Sequence, residues 1–260
     1  MGKRISKLFV VLTFALVLSL PGMALAAHTS TVGQTGPGNS ADVTQTGDLH
    51  QADIEQISFS AGNQADITQI GDGYSNLIYQ EGNSNSASQY QEGVGNVMIG
   101  ITQIGDDNIA VQYQNGDGNT ATITDMLANG NEMYQYQIGD TNEADIAQAG
   151  GNYNVASITQ TGNDNTADLD QTGDSNLAEI EQLGNTDNDA TQTQDGDNNE
   201  AEIYQDGASN VATQSQSGDY NYAVASQIGD FNTCIMLQNG YDTYTCTQIG
   251  DYNYTIINQL

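Results

Sequence analysis

Side-chain amides at a fixed interval are the groups in this chain best placed to do chemistry, and that chemistry is hydrogen bonding between like groups. Gln stands at 34, 45, 56, 69, 80, 91, 103, 114, 137, 148, 160, 171, 182, 194, 205, 216, 227, 238, 248 and 259, and Asp125 fills the one gap in the series. The spacing is mostly 11, with slips to 10, 12 or 13. A carboxamide carries two N–H donors and an acceptor oxygen, so amides stacked one above another satisfy each other, whereas a lone buried amide is costly. Asn recurs six residues before the closing Gln, Ala four before it, and Gly two after each Gln. The string Q-x-G-x-x-N-x-A-x-x-x-Q runs through Gln103, Gly105, Asn108, Ala110 and Gln114, and again through Gln137, Gly139, Asn142, Ala144 and Gln148. It continues through Gln160, Gly162, Asn165, Ala167, Gln171, Gly173, Asn176, Ala178 and Gln182. It returns at Gln205, Gly207, Asn210, Ala212, Gln216, Gly218, Asn221, Ala223 and Gln227, and Gly229 opens the next copy.

Stepping of this kind needs an element of period two. Counting back from each closing Gln, the even positions hold Asn, Ala and usually Ile, Val, Leu or Gln, while the odd ones hold Asp, Glu, Thr, Ser or Tyr, as in Glu179, Glu181, Glu202 and Tyr204. That alternation over about seven residues predicts a half-buried strand; a helix would need apolar spacings of three and four. The Gly-Asp-x segments between are turn chemistry. A short period over nearly the whole length predicts a solenoid: all-β, two sheets, amyloid-like, about ten 22-residue repeats. Successive strands either pair as hairpins or face each other as arches. The arch sets Gln opposite Asn and Ile opposite Ala, which fills a narrow core evenly, and it stacks like residues about 4.8 Å apart.

At this point the residues resemble a family. The pattern is similar to the curlin repeat, Ser-x5-Gln-x-Gly-x2-Asn-x-Ala-x3-Gln, over essentially all of the chain after its first residues. Where that family has Ser, this chain more often shows a second Asn, which blurs the distinction between half-units. The resemblance implies a secreted subunit, major-subunit-like, polymerising into extracellular curli fibres of a biofilm matrix on a Gram-negative-type bacterium. It implies a nucleating curlin and an outer-membrane curli secretion pore as partners. The nucleator itself is the alternative within the family.

Residues 1–26 read differently. Lys3, Arg4 and Lys7 precede an apolar run from Leu8 to Leu20 and an Ala24-Leu25-Ala26 end, which predicts a secretory signal peptide cleaved after Ala26 rather than a membrane anchor. Residues 27–33 read as a short lead-in and 34–260 as the repeat array. The leader holds all three basic residues, so the remainder carries 33 carboxylates and a formal charge of −33. Such a chain repels nucleic acid and anionic membranes. The acidity keeps an aggregation-prone chain soluble, or it holds assembly back until salt, divalent cations or acid quieten it.

Other chemistry is sparser. In an arch Cys234 and Cys246 face each other; in a secreted chain they predict a disulfide if the core is thin, and otherwise two small buried thiols. The turn carboxylates (Asp106, Asp117, Asp140, Asp174, Asp197 and others) suggest either solvated turns or a Ca²⁺-gathering edge; no metal or other cofactor is assigned. Thr120/Thr122/Thr124 and Thr243/Thr245/Thr247 resemble ice-binding rows but are better explained by β-propensity. A monomeric acidic solenoid binding Ca²⁺ or ice is therefore the alternative of another class. His28 and His50 are the only histidines, and the carboxylates lie on flat strands without a cleft, so no enzyme is expected. A wider turn is expected between Gln56 and Gln69, a slip near Asn76, and a kink or weak point at the rung from Asp125 to Gln137.

Overall fold

The computed structural model describes residues 28–259; the expected leader, residues 1–26, lies outside the described residues. Strands run from β1 (Thr29–Thr35) to β21 (Tyr254–Asn258), with no helix among the described residues. The odd-numbered strands form an 11-stranded sheet and the even-numbered ones a 10-stranded sheet. Each strand pairs, parallel, with the strands two before and two after it. β10 (Glu132–Ile138) lies on β12 (Val155–Asn163) with Gln137 opposite Gln160. β12 in turn carries β14 (Leu177–Thr186), setting Ala156 on Ala178, Ile158 on Ile180 and Gln160 on Gln182. Consecutive strands face each other across the core. The arch is therefore the architecture, a two-sheet β-solenoid of about ten turns.

Burial follows the period of two. In β12, Ala156, Ile158 and Gln160 are buried, whereas Val155, Ser157 and Thr159 are partly exposed. Columns of Ala and Ile fill the middle of the coil, and columns of Gln and Asn close its two sides. Small facing large keeps the core thin, and β19 (Thr233–Asn239) and β20 (Thr243–Ile249) approach within a Cα–Cα distance of 6.7 Å at Cys234 and Cys246. The stretch ahead of Gln34 is a full strand: β1 matches β3 (Gln51–Ile57) residue for residue over its whole length.

The turns require left-handed backbone twice. The repeat Gly takes positive φ, for example 118° at Gly139, where an added Cβ would overlap the carbonyl of Gly162 in the next rung. The residue before each Asn is also left-handed, near φ 60°, whether it is Asp107, Ser175 and Asn198 or the bulkier Tyr220, Phe231 and Tyr252. A non-Gly residue costs about 1–2 kcal/mol there. The cost is borne because two sheets and a ladder of turns over-determine the position.

Irregularities fall partly where expected. The turn between β3 and β4 (Gln64–Asp72) spans residues 58–63, the wide turn foreseen. Near Asn76 the pattern slips because Tyr74 takes the inner corner normally held by Asn, stacking on His50 and through it on His28, with ring centroids 5.0 Å apart in each pair. Asn76 then fills an Ala site, opposite Ala52. The expected kink at Asp125 is not there. β9 (Thr120–Met126) keeps register with β11 (Glu143–Ala149) throughout, Asp125 opposite Gln148. The register shift lies one rung earlier, in β7 (Val97–Ile104), where Gly100 absorbs an extra residue. A substitution that changes side-chain chemistry leaves the backbone path intact; an inserted residue does not.

Two glycines test this account of the turns. Gly139→Ala is expected to lose at least about 2 kcal/mol of unfolding free energy, from backbone strain plus the overlap. Gly150, at φ 70° with nothing near its missing Cβ, should lose only about 1 kcal/mol as Gly150→Ala. Urea unfolding of the two variants checks the contrast.

Candidate functional site

The amides form continuous ladders along the coil. On the even-numbered sheet, Gln91 Nε2 donates to Gln114 Oε1 at 2.9 Å, Gln114 to Gln137 at 2.8 Å and Gln137 to Gln160 at 2.8 Å. The series goes on through Gln182, Gln205, Gln227 and Gln248, each bond 2.9 Å. On the odd-numbered sheet Gln148, Gln171, Gln194, Gln216 and Gln238 are linked likewise. All point the same way, Nε2 toward the later rung.

The second N–H of most of these amides crosses the core. Gln137 donates to the carbonyl of Thr120 at 2.9 Å, Gln160 to that of Glu143 at 2.9 Å and Gln182 to that of Thr166 at 2.9 Å. Each such Gln thus ties its own column along the axis and the two sheets across it, so both donors of a fully buried amide are used.

Asn works by a different route. Its Oδ1 accepts the backbone N–H of the Asn one rung later: Asn131 N–H to Asn108 at 3.0 Å, Asn154 to Asn131 at 2.9 Å and Asn165 to Asn142 at 3.1 Å. Its Nδ2 reaches a turn carbonyl, as Asn142 does to Gly162 at 2.8 Å. Asn therefore satisfies the turn backbone and, at several rungs, the Asn before it, as Asn142 Nδ2 does to Asn119 Oδ1 at 3.1 Å. The turn carboxylates also act structurally: Asp140 accepts the backbone N–H of Asp117, Asp197 that of Asp174, and Asp251 that of Asp230, each near 2.9 Å. These oxygens are engaged within the coil, which the solvated-turn reading missed.

The structure places Gln103, Gln114, Gln137, Gln148, Gln160, Gln171, Gln182, Gln205, Gln216 and Gln227 in these buried columns, with the repeat Asn and Ala residues beside them. The repeat glycines occupy the tight turns at positive φ. Cys234 and Cys246 are joined across the core. Two features escaped the sequence reading. Shorter second ladders run through Gln89, Gln112 and Gln135 at 2.9 and 3.0 Å, and through Gln192 and Gln214 at 3.2 Å. Gln appearing at neighbouring copies of the Ile position was the available signal. The outward tyrosines form a column as well, Tyr90 stacked on Tyr113 at 5.0 Å and Tyr113 tilted against Tyr136 at 6.3 Å. Tyr79 donates to Glu81 at 2.8 Å, and that bond, with burial, pushes its hydroxyl pKa up to about 12.

Outside, the carboxylates repel. Burial raises Asp145, Asp170 and Asp189, and the neighbouring Asp168 raises all three further. Gln160→Leu is expected to lose about 2–4 kcal/mol, since Gln137 and Gln182 each lose a buried partner. Thr159→Ala, one residue away and facing out, should stay within about 0.5 kcal/mol. Chemical unfolding of the two variants at one pH measures both.

The family described as the curlin associated repeat matches residues 36–71, 162–196 and 196–229. No curated protein matches the chain. The two later matched segments lie in one column, with Gln160 on Gln182, Gln182 on Gln205 and Gln205 on Gln227. The chain carries the curlin associated repeat at three places, which supports a curlin-family repeat protein.

Proposed function

We propose that the chain is a structural subunit of extracellular curli-type amyloid fibres, exported after loss of residues 1–26 and joined end to end. One observation carries the reading: the stacked, in-register core is open at both ends of the described coil. Val32, Ala41 and Val43 at one end and Tyr244 and Ile257 at the other are only partly buried, although the same columns are fully buried in the middle. β1 and β21 each have a hydrogen-bonded neighbour on one side alone among the described residues. Unpaired strand edges recruit further strands, and a second copy supplies strands with the same side chains in the same order. Residues 28–56 and 242–260 are the joining surfaces on this reading. A nucleating curlin starts the fibre and an outer-membrane pore delivers the chain, by likeness to the family. Surface attachment and biofilm strength are then properties of the fibre. The role is structural rather than enzymatic.

The purified mature chain is expected to raise thioflavin fluorescence, to show filaments by electron microscopy, and to diffract with a meridional spacing near 4.8 Å. Deleting residues 243–260 should slow growth at least several-fold at equal concentration. A chain that stays monomeric through these measurements, in low salt and high, overturns the proposal.

A further inference from the structure

Among the described residues, the unpartnered glutamine oxygens of the core share one feature. Gln89, Gln91, Gln148 and Gln192 have no donor to Oε1. Ile67 and Leu169 precede Gln89 and Gln192 in their columns and have no N–H to give. Gln69, preceding Gln91, turns its amide to Asn76 and to the carbonyl of Gln51 instead. Gln148 differs, because the residue before it is Asp125, fully buried and in register with it. Asp125 Oδ1 accepts from Asn131 Nδ2 at 3.0 Å, while Oδ2 is buried with no partner. Two buried acceptors thus occupy consecutive rungs, where the joints from Gln148 through Gln171, Gln194 and Gln216 to Gln238 each pair a donor with an acceptor.

We propose that Asp125 is a proton-operated joint in the odd-sheet ladder. Ionised, it leaves the joint with Gln148 without a donor; with a proton on Oδ2 it supplies the missing donor to Gln148 Oε1 and closes that joint. Among the described residues there is no Lys or Arg to offset the ionised form. Gln103 flanks Asp125 from β7, Gln148 from β11, and Asn131 bonds it from the turn just before β10. The titratable groups on the packed elements are Glu132, Tyr134 and Tyr136 on β10, Tyr113 on β8 (Ile109–Asn115), and Glu143 and Asp145 on β11. All stand at the alternate, outward positions. Asp106 and Asp107 lie in the turn after β7, and β7 has no titratable group.

Burial accordingly holds the Asp125 carboxyl up at about 6, against an ordinary 3.8, with the Asn131 bond acting the other way. The folded-state value lies above the unfolded one. The contribution of this residue to stability is therefore complete below about pH 4 and is lost as pH rises through about 6.

Hydrogen–deuterium exchange of the full mature chain, corrected for intrinsic rate, is the test, with Asp125→Asn as the variant whose amide supplies the N–H at every pH. At pH 7.5 the variant is expected to protect β9 and β11 more than the wild type by on the order of a hundredfold, the distance between the two pKa values read as an equilibrium constant. That gap should shrink to under tenfold by pH 4.5, while Asp168→Asn, an outward change, should produce no such local, pH-dependent gap. If Asp125→Asn does not fold, Asp125→Gln replaces it, and the carboxyl of Asp125 is titrated directly by isotope-labelled NMR in the wild type. A gap that does not change with pH, no gap at all, or a carboxyl titrating near 4 overturns the proposal.

Discussion

The fold depends on a single bifunctional group, the glutamine amide with one N–H aimed along the coil and the other across it. Hydrophobic burial alone does not hold this coil in one register. The columns of Ala and Ile present similar surface at every rung, and a slip by a whole rung would bury as much. The Gln ladder is less forgiving. Each amide needs an acceptor at the correct height on its own sheet and a carbonyl at the correct place on the facing strand, as Gln182 has in Gln205 and Thr166. A slip by one residue would turn every such amide outward and every carboxylate inward. Polar burial, usually a cost, here supplies the specificity that a core of small apolar groups lacks.

The outer surface follows from the inner one. Because the ladders and the backbone satisfy the interior, the outward positions are free to carry charge, and they carry one sign. Stacking in register also places like charges one rung apart, as with Glu179 against Glu202 and Asp145 against Asp168. Each pair is unfavourable, yet the backbone hydrogen bonds of two neighbouring strands outweigh it. The turn carboxylates reduce the conflict by accepting backbone N–H groups from the adjacent rung, which gives part of their charge a local partner.

Most of this architecture was legible from spacing alone. Period two gave strands, the 11-residue interval gave two strands per turn, and the pairing of large with small gave the arch. What was not legible depends on three-dimensional detail. Nothing in the string distinguishes the Gln mode of bonding from the Asn mode: both reach neighbouring rungs, but Asn142 takes the backbone N–H of Asn165 and donates to the turn carbonyl of Gly162, whereas Gln137 donates to the side chain of Gln160 and, across the core, to the carbonyl of Thr120. The left-handed residue before each Asn was hidden because the chain fills it with Asp and Ser in some rungs and Tyr or Phe in others. Asp125 misled because chemical oddity was read as backbone distortion, whereas a carboxyl one methylene shorter than the Gln it replaces leaves the strand in register, and the distortion belongs to the extra residue at Gly100.

The ladder also has a sense. Wherever two main-column Gln side chains are bonded, the earlier donates to the later, and the Asn backbone N–H groups donate in the opposite direction. The coil is therefore polar along its axis, with amide oxygens of the columns facing one way and amide hydrogens the other. A copy stacked head to head would set donor against donor in the Gln columns and acceptor against acceptor in the Asn columns, and antiparallel strands would replace parallel ones. A copy stacked in the same sense continues all of these bonds without altering a side chain. The hydrogen-bonding direction of a buried amide thus restricts how any further strand can add, and it does so before shape or charge is considered.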